Sequence, residues 1–184
     1  MHYLDLIDTH TLKKPGLRCR DITPMFADRS AFDALLEDLV RDVRPASIDI
    51  VAGVDGLGLL LASAVAQRIG VGIVPIRKPG KLPVVTDAAP LPEPRGGLEV
   101  RFDAFVPQQR VLLVDDWIRT GVQALAAVSL IERQQARVQG IMALNIEEND
   151  RTAPLQRYCL HTVMVNGKHH PELISSNPLA NTAP

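Results

Sequence analysis

Apolar positions along the chain change period several times. Phe32, Leu35, Leu36, Leu39, Val40 and Val43 recur at helical spacing, which predicts a helix over 30–44 with Ser30 as its N-cap and Pro45 as its stop. Ile48–Val54 is a short, mostly apolar run bounded by turn residues, the pattern of a buried strand; it opens into Gly53-Val54-Asp55-Gly56-Leu57-Gly58. Residues 59–69 are rich in Leu and Ala and predict a second helix, stopped by Gly70. Ile73–Arg77 is a further short strand that runs into Lys78-Pro79-Gly80-Lys81. Residues 111–115 predict a strand whose apolar run Val111–Val114 leads into Asp115 and Asp116, followed by a tight loop through Gly121 and a helix over 122–136. On that helix Val122, Leu125, Val128, Leu130 and Ile131 are available to a core. Val138–Ile146 and Tyr158–Val165 predict two more strands. Residues 82–97 hold Pro83, Pro90, Pro92, Pro94, Gly96 and Gly97, which predicts a mobile loop without regular structure. The tail, 171–184, is predicted to be poorly ordered at its end.

Strands alternating with helices imply the α/β class: a mostly parallel, twisted sheet flanked by helices, joined by right-handed crossovers. At 184 residues the chain is expected to form one domain with a sizeable core. Three strand ends then gather on one sheet edge, Asp55–Gly58, Arg77–Lys81 and Asp115–Gly121. Ligands of open α/β sheets bind at such an edge. The third end pairs two carboxylates, suited to ribose hydroxyls or a hydrated Mg²⁺, with a helix start whose free N–H groups suit a phosphate.

The net charge of −1 argues against a general nucleic-acid binder, which usually carries a basic excess. Cys19 and Cys159 form no disulfide framework and fit a reducing compartment. The N-terminal residues show no signal-peptide pattern and no uncharged run has membrane-spanning length. The expectation is a cytoplasmic protein without membrane or nucleic-acid partners.

Four ordered segments carry a resemblance. Arg20-Asp21-Ile22-Thr23-Pro24, Gly53–Gly58, Ile76-Arg77-Lys78-Pro79-Gly80-Lys81-Leu82-Pro83 and Val111–Gly121 together resemble the type I phosphoribosyltransferases, most closely those acting on adenine. The likeness implies the type I fold, with a small N-terminal hood (residues 1–29) and a mobile loop. It implies transfer of ribose 5-phosphate from phosphoribosyl pyrophosphate to a purine, with adenine the expected acceptor. Pyrophosphate is released, Mg²⁺ is held mainly by the substrate rather than by protein alone, and the chain is a homodimer serving nucleotide salvage.

By that likeness Asp115 and Asp116 bind the ribose. Arg119, Thr120, Gly121, Val122 and Gln123 take the 5′-phosphate. Asp55, Gly56, Leu57, Gly58, Arg77, Lys78 and Lys81 take the pyrophosphate, and Arg18, Cys19 and Arg20 the base. Glu93, in the mobile loop, is the expected general acid or base, making Glu93, Asp115 and Asp116 the catalytic set.

Three departures from the family pattern leave alternatives open. Val122 and Gln123 stand where the family has a glycine and a hydroxyl residue. Valine disfavours the positive φ and close approach that glycine permits; Arg119 adds a cation that can grip a phosphate with two bonds. Leu57 stands where an arginine is common, and Arg18-Cys19 replaces apolar contacts to the base. The alternatives are an enzyme of this fold with a non-adenine acceptor, or a nucleotide or phosphoribosyl pyrophosphate sensor that does not catalyse. His169-His170 with Glu172 reads as a solvated cluster rather than a metal site, His161 as the exposed face of a strand, and Trp117 as packing for the signature loop.

Overall fold

The computed structural model describes residues 2–7, 20–92 and 96–169. Backbone contacts divide the chain into two compact units, Met1–Asp38 and Leu39–Pro184. In the first, a 3₁₀ turn over Tyr3–Leu6 is capped by His2, and the Tyr3 hydroxyl donates to the Asp38 carboxylate. Helix α1 (Thr23–Ala27) has Pro24 in its first turn, where the missing N–H has no intrahelical partner to lose. Helix α2 (Arg29–Val40) buries Leu35, Leu36 and Leu39 of the face predicted from spacing, together with Ala31, while Phe32 and Val40 are half-buried. Its cap is Asp28, not Ser30. Asp28 Oδ1 accepts from the Ala31 N–H at 2.9 Å and from the Ser30 hydroxyl at 2.7 Å. The helix ends at Val40 rather than 44, as the chain turns at Arg41-Asp42 before Pro45 is reached.

The second unit carries β1 (Ile50–Val54), α3 (Leu57–Ile69), β2 (Gly72–Ile76), β3 (Thr86–Pro90), β4 (Gly97–Arg101), β5 (Arg110–Ile118), α4 (Val122–Arg133), β6 (Arg137–Ile146), β7 (Cys159–Val165) and β8 (Lys168–His169). The main sheet has the order β2-β1-β5-β6-β7-β8, parallel except for the short edge strand β8. Val111–Asp115 and Gly140–Ile146 are buried without a break, as central parallel strands covered on both faces require. Strand order reverses between β1 and β5. The chain runs outward from β1 to β2, returns, and then runs outward the other way through β6 and β7, so the switch point where ligands of such sheets bind falls at the carboxyl ends of β1 and β5. At the opposite end Arg110 ties the two strands together. Its backbone N–H and its guanidinium both bond Asp49, and those bonds, led by the side-chain pair, hold Asp49 at about 2.

Residues 82–97 correct the expectation of an irregular loop. β3 and β4 pair antiparallel from Thr86↔Arg101 to Pro90↔Gly97. Pro90 closes β3, where its missing N–H costs the ladder little. Ala89, Leu98 and Val100 join the core that contains Val74, Ile76 and Phe105. The hairpin is tied to the end of α4: the Arg133 guanidinium donates to Asp87 (2.7 Å) and to the Ala88 carbonyl (2.8 Å). Gln134 donates to the Arg101 carbonyl and accepts from the Phe105 N–H. Pro90 and Gly97 stand at the strand ends, with Pro92 and Gly96 between them, so the run of Pro and Gly hid the hairpin.

Two smaller expectations also change. β5 spans nine residues, through both carboxylates to Ile118, because pairing with β6 continues to Ile118↔Ile146 after pairing with β1 stops at Val114. His161 is half-buried rather than exposed, with Nε2 3.5 Å from Cys159 Sγ; burial lowers its pKa, against the charge of Asp42. The tail lies outside the described residues.

Candidate active site at the strand ends

Register decides where the two carboxylates fall. β1 leaves the sheet at Asp55, while β5 runs on along β6, so Asp115 and Asp116 stand just beyond the end of β1. The first turn of α3 closes over them. A Cβ on Gly58 would come within 2.7 Å of Asp115 Oδ1 and 3.0 Å of its Cα, so only glycine allows this approach. Asp115 is buried and its Oδ1 accepts the Asp116 N–H at 2.9 Å. Burial raises its pKa well above the ordinary carboxylate value, aided by the charge of Asp116 and a side-chain hydrogen bond with it. Asp116 and Trp117 are half-buried, and the indole N–H donates to Glu147 at 3.4 Å.

Asp55 joins the ends of β1 and β2. Its Oδ1 accepts from the Gly56 N–H at 2.7 Å and its Oδ2 from the Lys78 N–H at 2.9 Å. Arg77 Nε lies 3.4 Å from Oδ2, an ion-pair distance without hydrogen-bond alignment. Partial burial pushes the Asp55 pKa up, but the two amides and Arg77 outweigh it and the net shift is downward. Arg77 is therefore committed in part to a carboxylate, whereas Lys78 and Lys81 are exposed and make no ion pair among the described residues. The loop carrying these cations rests on Glu99, a β4 residue only 6% exposed. Glu99 Oε1 accepts from the N–H groups of Lys81 (2.9 Å) and Leu82 (3.0 Å), and its backbone pairs both ways with Arg77.

The third loop, Arg119–Gly121, enters α4 through Gly121. This residue has φ 66°, and an added Cβ would lie 2.9 Å from the Arg151 carbonyl oxygen. Leu125 N–H bonds the Gly121 carbonyl, and the amides before it at the start of α4 have no intrahelical acceptor. A turn at 147–152 supports the loop. Asn149 donates from Nδ2 to the carbonyls of Arg119 (2.9 Å) and Glu147 (3.0 Å), and its Oδ1 accepts the Arg151 N–H. Thr152, buried, donates to the Glu147 carbonyl at 2.7 Å.

Three adjacent strand ends thus bring together two carboxylates, an exposed basic loop and an open helix start. The family model of the phosphoribosyl transferase domain matches residues 28–172. The chain belongs to the phosphoribosyltransferase family. It is 40% identical over 141 residues to the adenine phosphoribosyltransferase of Salinispora tropica, covering 76% of this chain and 75% of that protein. It is 42% identical over 139 residues to that of Symbiobacterium thermophilum, covering 74% and 81%. The crystal structure of adenine phosphoribosyltransferase from Thermoanaerobacter pseudethanolicus matches with a TM-score of 0.80 at 32% identity, covering 88% of this chain and 96% of that one.

Of the family-type positions expected from sequence, Asp55–Gly58, Arg77–Lys81 and Asp115–Gln123 come from the adjacent ends of β2, β1 and β5. Leu57 and Gly58 belong to the first turn of α3 rather than to the loop before it. Arg20 is exposed in the N-terminal unit. Arg18, Cys19 and Glu93 lie outside the described residues, as do His170 and Glu172. Sequence reasoning passed over Glu99, Asn149 and Thr152. Asn149-Asp150-Arg151-Thr152 does carry a turn signal, and an acid between Leu98 and Val100 breaks the apolar pattern of a strand.

Proposed function

We propose that the chain transfers ribose 5-phosphate from phosphoribosyl pyrophosphate to adenine, releasing pyrophosphate, as a step of nucleotide salvage. The observation that carries this is the meeting, at one strand edge, of the Asp115–Asp116 pair, the start of α4 and the basic loop at Arg77–Lys81. As the pyrophosphate leaves, positive charge develops on the sugar and negative charge on the departing oxygens. Asp115 and Asp116 bond the ribose hydroxyls and favour the first charge. Lys78 and Lys81, with Arg77 beside them, favour the second. Thr120, Gly121, Val122 and Gln123 present the α4 start to the 5′-phosphate, and Arg119 supplies its charge.

Asp55 is an acid and repels a pyrophosphate. Its part is to tie the Gly56 turn to the Lys78 backbone, so that Gly56, Leu57 and Gly58 line the leaving-group side. In the same assignment Glu93 is the proton donor or acceptor towards the base, and Arg18, Cys19 and Arg20 are the base-binding residues. Mg²⁺ fits the donor set as an ion that arrives on the substrate's oxygens with two hard carboxylates near by. Among the described residues no three His, Cys, Asp or Glu side chains are grouped to hold a metal by themselves. When bound, the ion neutralises pyrophosphate charge. A homodimer in the cytoplasm belongs to the same assignment; no described helix is long and apolar enough to cross a membrane.

Val122, Gln123 and Leu57 favour a second assignment, a sensor that binds without transfer. The experiment is a pyrophosphate-release assay with phosphoribosyl pyrophosphate, Mg²⁺ and a panel of purine and pyrimidine bases. Release with adenine is the expected result. Release only with another base replaces the acceptor. Tight binding by calorimetry with no release from any base, at high protein concentration, leaves the sensor.

A further inference from the structure

Glu99 presents a physical problem. It is a carboxylate 6% exposed, on a strand between Leu98 and Val100, which are fully buried. Buried charge is costly unless it is compensated, and three cations stand in the loop beside it. Yet Glu99 forms no ion pair with them. Its compensation comes from neutral donors: the Lys81 and Leu82 amides on Oε1, and the Thr86 hydroxyl, 3.4 Å from Oε2. Burial acts to raise its pKa, but the amides of Leu82, Gly80 and Lys81 and the Thr86 hydroxyl outweigh it. The carboxylate therefore stays ionised at neutral pH.

The same residue also holds the other end of the loop. The Arg77 N–H donates to the Glu99 carbonyl at 2.8 Å, and the Glu99 N–H donates back to Arg77 at 2.7 Å. Main chain clamps the entry at Arg77, and side chain clamps the exit at Lys81-Leu82. Between the clamps Lys78, Pro79 and Gly80 are exposed. Because Glu99 uses backbone amides rather than side-chain cations, the loop is fixed while its ammonium groups remain available to an anion.

We propose that Glu99 is a positioning residue that holds the loop 77–82 in the shape that receives the leaving pyrophosphate. This rests on the transferase assignment above, and it adds a residue that touches none of the reacting atoms. It sets the affinity for the pyrophosphate end of the substrate and leaves the ribose and 5′-phosphate end alone. Gln at position 99 retains an oxygen that can accept both amides; Ala does not.

The test compares Glu99→Ala and Glu99→Gln with the native chain. Calorimetry reads Mg²⁺-pyrophosphate and AMP binding, and steady-state kinetics reads KM for phosphoribosyl pyrophosphate. In Glu99→Ala, pyrophosphate affinity is expected to fall tenfold or more with KM rising in step, while AMP affinity stays within twofold. Glu99→Gln is expected to recover most of the lost affinity. Equal weakening of AMP and pyrophosphate in both variants overturns the proposal, because that is the signature of general disruption. Unchanged pyrophosphate binding overturns it as well. Should Glu99→Ala not fold, Glu99→Gln and Glu99→Asp give the same comparison, and a loss shared by both ligands there is equally decisive. Native chain that binds neither pyrophosphate nor phosphoribosyl pyrophosphate refutes the transferase assignment itself, and this role with it.

Discussion

Burial beneath the first turn of α3, then the charge of Asp116 and a hydrogen bond with its side chain, raises the pKa of Asp115 well above the usual carboxylate range. The folded chain keeps a proton there that the unfolded chain releases near pH 4. The stability this group contributes is therefore present below that pH and is lost as pH rises through the raised value. Asp115→Asn keeps an oxygen for the Asp116 N–H and removes the titration. Its urea midpoint, followed from pH 4 to pH 8, is expected to lose the decline of the native chain and to equal or exceed the native value at pH 8. Transfer should fall even so. Once pH exceeds the raised value and Asp115 is ionised, the bond proposed to a ribose hydroxyl is charge-assisted and worth about 1.5–3 kcal/mol, roughly one to two decades in kcat/KM. A variant less stable than the native chain at pH 8 would contradict the assignment of the proton. Gly58→Ala attacks the same contact from the helix side. Its Cβ would lie 2.7 Å from Asp115 Oδ1, and relief requires α3 to shift at a cost of about 1–3 kcal/mol. Thermal unfolding checks that cost, and activity should drop further than stability, because the shift displaces the carboxylate proposed to bond the ribose.

At the scale of elements, the β3–β4 hairpin is where pattern reading and structure part. Its strands contain Pro90 and Gly97, and Thr86-Asp87-Ala88 offers little apolar alternation. The hairpin exists because Ala89, Leu98 and Val100 reach the common core and because Arg133 and Gln134 hold it from α4. Arg133→Ala should loosen it selectively. Hydrogen exchange at residues 86–101 is expected to speed up by about tenfold, since two partly exposed bonds to one guanidinium sum to about 1 kcal/mol or somewhat more. Exchange in β5 and β6 should not change; acceleration throughout the sheet would mean that the tie is global. The long helices and central strands, by contrast, were legible in advance. Their apolar positions repeat at periods that local sequence displays, and Gly70 ends α3 where expected. The α2 cap was misplaced by two residues because Asp28 and Ser30 are equally plausible caps on paper; only their geometry separates them.

For the whole molecule, a net charge of −1 conceals a local arrangement of opposite signs at the strand ends. A ligand that matches that arrangement should stabilise the folded chain by mass action. At one hundred times its Kd, phosphoribosyl pyrophosphate with Mg²⁺ contributes about 2.7 kcal/mol. For a chain of this size that is a rise of roughly 5–10 °C in Tm. Differential scanning fluorimetry with and without the pair checks this, and an unmoved midpoint at saturation removes the strand ends as the binding site.

The α/β class and the strand ends were determined by the sequence alone, and so was the choice of candidate residues at those ends. They depend on short-range order: hydrophobic period, a pair of acids after a strand, three cations in five residues. Tertiary structure decided which neighbours restrain those residues. Gly58 meets Asp115 across 57 positions, Glu99 clamps Arg77 and Lys81-Leu82 across about 20, and Asn149 holds the Arg119 carbonyl across 30. Long-range pairings of this kind leave no periodic trace, because one acid or amide side chain satisfies a distant backbone without altering the pattern around either. The candidate groups could therefore be proposed from the sequence, while the residues that hold them in place emerged only from the fold.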